Sequence, residues 1–95
     1  MELPPDVVRW VAKHFPEDAR EQAIGVLIAA MDHQGQPATP RLLRCLALSS
    51  HGDLALLRQQ ARQLAIDFRD VIVSGEYESR NGELVRVRDF SQPMS

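Results

Sequence analysis

Ninety-five residues, 44% hydrophobic and 25% charged, suit one soluble globular domain with a single core. A net charge of −2 excludes a polycation that would coat nucleic acid or anionic membrane indiscriminately. The longest nearly apolar run, Ala23 to Met31, is too short to span a bilayer, and the lone Cys45 excludes an internal disulfide.

The chain opens Met1-Glu2-Leu3-Pro4-Pro5-Asp6, without the charged and apolar regions of a signal peptide, so a cytoplasmic location is expected. A first helix is expected after Pro4-Pro5, with Val7, Trp10, Val11 and His14 at helical spacing. Phe15-Pro16 ends it. A second helix follows, with Glu17, Asp18 and Glu21 complementing the positive end of its dipole. Its apolar residues Ala19, Ala23, Val26, Leu27, Ala30 and Met31, with Ile24 and Ile28, exceed one narrow stripe, which predicts the most buried helix of the domain. Gly25 in its middle suggests close packing against a neighbour, and Gly35 is a C-cap candidate.

Thr39-Pro40 is a strong helix start, an N-cap hydroxyl followed by proline in the first turn. In this third helix Leu42, Leu43, Leu46 and Ala47 are expected to face inward, with Arg41 and Arg44 facing outward. Ser49 to Gly52 reads as a turn and Asp53 as the next N-cap. Leu54, Leu57, Ala61, Leu64 and Phe68 then define an amphipathic helix over 53–68, whose far face carries Arg58, Gln59, Arg62 and Gln63.

Residues Val71 to Phe90 read as a C-terminal β-hairpin. An Asn81-Gly82 type I′ turn would mix Val71, Val73 and Tyr77 with Arg86 and Arg88 on one face. A three-residue loop, Arg80-Asn81-Gly82, instead gathers Val71, Val73, Tyr77, Val85 and Val87 on one face and sets Glu76 opposite Arg86. The longer loop is therefore preferred, leaving Ile72, Leu84 and Phe90 on the outer face. The expected fold is α+β: four helices followed by a hairpin packed on them, one domain over 1–95, with 91–95 a frayed tail.

Charge is uneven. Residues 1–40 hold three basic and six acidic side chains, residues 41–69 five and two, and residues 70–95 three and five. Two helices joined by a short turn and followed by a hairpin share the order of a winged helix-turn-helix. On that reading Arg41, Arg44, Arg58, Gln59, Arg62 and Gln63, with Arg80 at the hairpin tip, are the DNA contacts: arginine suits guanine and phosphate, glutamine suits adenine. The opposing reading is that arginine and glutamine are ordinary residues of solvated helix faces, and the hairpin's polar face is nearly neutral.

His14, His33, Cys45 and His51 show no metal-ligand spacing. Ser49, Ser50, His51 and Asp53 sit too close together in one turn to converge as a triad, and no glycine-rich phosphate loop is present. No enzyme, cofactor or metal is expected. The leading expectation is a small non-catalytic interaction module that binds a protein partner or a second copy through Ile72, Leu84, Phe90 and Trp10. DNA binding is the alternative.

Overall fold

The computed structural model describes residues 3–94, so the ends of the expected leaderless start and frayed tail (Met1, Glu2 and Ser95) lie outside the described residues. Among these residues the chain forms α1 (Pro5–His14), α2 (Glu17–Ala29), α3 (Pro40–Ser50), α4 (Leu54–Ile66), α5 (Phe68–Glu76), β1 (Tyr77–Arg80) and β2 (Glu83–Arg86). The class is α+β as expected, but with five helices rather than four.

The helix starts follow local chemistry. The Thr39 hydroxyl accepts from the Leu42 N–H at 3.3 Å, and Pro40 fills the first turn of α3. Asp53 caps α4, accepting from the N–H groups of Ala55 at 2.8 Å and Leu56 at 3.3 Å. Between them His51 and Gly52 both adopt left-handed backbone, and Gly52 lies so close to the His14 carbonyl that a Cβ there would overlap it.

The centre of the molecule is α3, not α2. Residues Leu42 to Ala47 are buried without a break, and α3 packs against α1, α2, α4 and α5. In α2 only Ala23 and Leu27 are buried. Ala19, Ile24 and Val26 are half-buried against the core, and Ile28 and Ala29 are left at the surface. Gly25 is exposed, with nothing within 4 Å of where its Cβ would stand, so close packing is not its role. Helix α2 stops at Ala29, and a bridge between Met31 and Pro37 closes the loop around the left-handed Gly35.

The largest departure lies at 67–76. The expected 53–68 helix breaks at Asp67, whose extended backbone ends α4 and whose carboxylate accepts from the Arg69 N–H at 3.0 Å, capping α5. Val71, Ile72 and Val73 are therefore helical. Their β-branched run favours a strand locally, but packing overrides it: Val71 is fully buried, and Gly75 lies directly against Cys45 of α3.

With that stretch in a helix, the hairpin shortens and its register changes. Tyr77 pairs with Arg86 and Arg80 with Glu83 across a two-residue Asn81-Gly82 loop. Both loop residues are left-handed, at φ 53° and 82°, as a type I′ turn requires. The three-residue loop was preferred in order to bury a valine face, yet Val71 and Val73 are not in the ribbon and no valine face is buried. All of β2 is exposed and only Tyr77 of β1 is half-buried, so the hairpin projects from the helices instead of packing on them. Arg86, expected opposite Glu76 across the ribbon, lies opposite Tyr77 instead, and its guanidinium donates at 3.0 Å to Glu76 at the end of α5.

The chain then returns to the helices. Phe90 is buried in the core and the Met94 N–H donates to Asp6 at 3.1 Å, while Ser91, Gln92 and Pro93 between them are exposed. Helix α5 also separates α4 from the ribbon, unlike the simple order assumed for a winged helix. The helix that feeds the ribbon exposes Arg69, Asp70, Val73 and Ser74, a nearly neutral set in which Arg69 is already paired with Asp67.

Candidate interaction surface

Two of the five arginines of the basic middle segment hold the fold together. Arg41 approaches Glu76 in a bidentate fork, with Nε and Nη2 each donating at 2.8 Å. The fully buried Glu76 carboxylate also accepts from Arg86 at 3.0 Å and from the Phe90 N–H at 3.2 Å. The Arg41 hydrogen bonds outweigh burial and hold the Glu76 carboxyl below its ordinary pKa. Arg44, expected to face outward, is buried. Its guanidinium donates to Asp6 at 2.9 and 3.3 Å and to the Phe90 carbonyl at 3.0 Å. Burial of Asp6 opposes its ionised form, but the bonds from Arg44 and Met94 prevail and its pKa is lowered.

Part of the excess positive charge of 41–69, at Arg41 and Arg44, is thus answered by carboxylates from α5 and α1. Six of the eight arginines between 41 and 88 form ion pairs, with Arg69, Arg80, Arg86 and Arg88 joining the two above. Arg80 at the hairpin tip pairs with Glu78. Gln63 donates to Asp70 at 2.7 Å, and Gln59 is exposed on α4. Arg58 and Arg62 form no ion pair among the described residues; Arg58 donates only to Gln22 of α2, at 3.2 Å. The seven residues expected to contact DNA are therefore not one free basic face. Arg41 and Arg44 are engaged in or near the core, and Arg58, Gln59 and Arg62 stand exposed on α4.

The expected apolar contact set is likewise dispersed. Phe90 lies in the core rather than on an outer hairpin face, because the chain turns inward after β2. Ile72 is half-buried against the core. Trp10 is half-buried and stacks on His14 at 4.2 Å, over a cavity of about 240 Å³ shared with Asp6, Arg9, Lys13 and Met94. Only Leu84 is openly exposed, at 63%, with its neighbour Val85 at 37%.

The exposed apolar surface gathers elsewhere. Helices α2 and α4 lie side by side and leave a shallow cavity of about 400 Å³ between them. One wall is Val26, Ala29, Ala30 and Met31; the other is Ala61, Arg62 and Ala65. Met31 is 51% exposed. Ile66, 73% exposed, opens a neighbouring cavity beyond Ala65, where His33 stacks on Phe68 at 5.3 Å. The signal for this groove was visible in the sequence: α2 has more apolar residues than one buried stripe uses.

Chemistry-bearing clusters are not assembled alongside. Among the described residues no three of His, Cys, Asp and Glu gather to hold a metal ion, and no helix is long and apolar enough to cross a membrane. Burial pushes the Cys45 thiol up to about 12, which keeps it protonated and unreactive at neutral pH. Comparison with family models, with curated proteins and with solved structures gives no match for this chain.

Proposed function

We propose that this chain is a small non-catalytic protein-interaction module whose working surface is the groove between α2 and α4, and whose occupant is an amphipathic helix of a partner protein. The supporting observation is the open side of the C-terminal end of α2. The half-buried Val26, the exposed Ala29 and Met31 just beyond the helix face Ala61 and Ala65 across an open apolar cavity, and such surfaces take the apolar face of a helix. Leu84 and Val85 alone offer less, because Phe90 and Ile72 are withdrawn from them.

The test is fluorescence anisotropy with a labelled amphipathic helical peptide that has a leucine-rich face and uncharged flanks. Binding is expected, and Ala65→Arg is expected to weaken it by about tenfold or more by placing a charge against the apolar face. Ala65 is exposed and arginine is a good helix former, so the unfolding midpoint should not change. No binding at about millimolar peptide, weaker than most specific recognition, would overturn the reading, as would equal binding by Ala65→Arg. Light scattering distinguishes the other occupant: a dimer abolished by Ala65→Arg would replace the partner helix with a second copy.

A further inference from the structure

We infer that the α2–α4 groove selects an acidic amphipathic helix, recognised through Arg58 and Arg62. The inference rests on the interaction-module reading above and adds the chemistry of the partner. In a segment where six of eight arginines have carboxylate partners, the two without one among the described residues are four apart on α4. Residues at that spacing are neighbours on one helix face. Arg62 itself lines the groove, and Arg58 stands one turn earlier, steadied by Gln22 of α2. Both guanidiniums are exposed and ready to pair.

The wall residues supply the apolar half of the recognition and the arginines the charged half. A complementary helix would carry leucine-type residues at i, i+3 and i+4 and carboxylates at i, i+4 along one flank. Each guanidinium can then meet a carboxylate while the apolar faces close. Duplex DNA would be a poorer match, because an alanine- and methionine-lined floor offers nothing to phosphate and Arg41, Arg44 and Arg80 are already paired with carboxylates.

The experiment compares three helical peptides with the same leucine face and acidic, neutral or basic flanks, on the whole chain and on the Arg58→Gln/Arg62→Gln variant. The acidic peptide is expected to bind about tenfold tighter than the neutral one at low salt, with the gap closing at high salt. The basic peptide should bind weakest. In the double variant the advantage of the acidic peptide over the neutral one should vanish. Equal binding of acidic and neutral peptides would overturn the charge assignment but leave the groove reading standing. Failure of all three would remove both. Salt-sensitive binding of a mixed-sequence duplex, lost in the same double variant, would assign the arginine pair to nucleic acid and overturn the inference.

Discussion

Asp6→Asn is expected to lower the unfolding free energy by about 3–5 kcal/mol, the usual cost of removing one partner of a buried ion pair. The side chains of Arg44 and Asp6 are only 9% and 4% exposed, so the guanidinium left behind cannot turn to water without opening the fold. It cannot shed its proton either, since arginine stays charged in proteins. Asparagine keeps the shape of Asp6 and its one carbonyl oxygen can still accept from Met94, but its amide nitrogen then faces an Arg44 donor, so the charge and one hydrogen bond are lost together. For a domain that stands on the order of 5–15 kcal/mol above unfolding, this is a large share. The corresponding fall in melting temperature is on the order of 15–30 °C, at about 4–8 °C per kcal/mol for a domain of this size.

Urea denaturation is the measurement that checks it. Replacing both partners with apolar residues, Asp6→Leu with Arg44→Met, should recover most of the loss, because breaking such a pair costs more than replacing it. A change below about 1 kcal/mol in Asp6→Asn, the size of an exposed pair, would mean that Arg44 reaches solvent.

Gly75→Ala should also destabilise, by on the order of 2 kcal/mol, within the range for an overpacked core. A Cβ at Gly75 would stand 2.7, 2.8 and 2.9 Å from the Cβ, Cα and Sγ of Cys45. Only the sulfur can be moved by a rotamer change. Relief of the other two contacts requires α5 to slide off α3, the contact that places Glu76 and the hairpin. Helix propensity works the other way by about 1 kcal/mol, since alanine is the better helix former. Gly25→Ala is the internal control. It too is helical, but its surroundings are open, so there the propensity gain should appear alone. If both substitutions shift the melting midpoint alike, α3 and α5 are not in that close contact.

These two sites mark where the sequence was readable and where it was not. Thr39-Pro40 and Asp53 announced their helices because capping is local: a hydroxyl or carboxylate two or three residues from the N–H it serves. Asn81-Gly82 carried the hairpin signal for the same reason, and the error there came from one segment upstream. Val71-Ile72-Val73 has the composition of a strand, and nothing local reveals that a glycine two residues later fits against a cysteine thirty positions earlier. With those valines in a helix there is no valine face for the ribbon to bury, and the two-residue turn is free to form.

Arg44 and Phe90 are failures of the same kind. An arginine between leucines on a helix reads as solvent-facing; its burial depends on Asp6, thirty-eight residues away, and on the return of the chain after β2. The groove was half legible. The surplus of apolar residues on α2 was plain, but whether they would all be covered depended on how α4 lies against the helix, which periodicity does not state.

The claim that the α2–α4 groove is the binding surface is tested most directly by amide chemical-shift mapping over the whole chain as the amphipathic peptide is titrated in. The shifts should cluster at Val26 to Met31 and at Ala61 to Ala65, with the hairpin Tyr77 to Arg86 left at its free positions. Perturbations centred on the hairpin tip, or on the cavity beneath Trp10, with the groove residues unmoved, would contradict it.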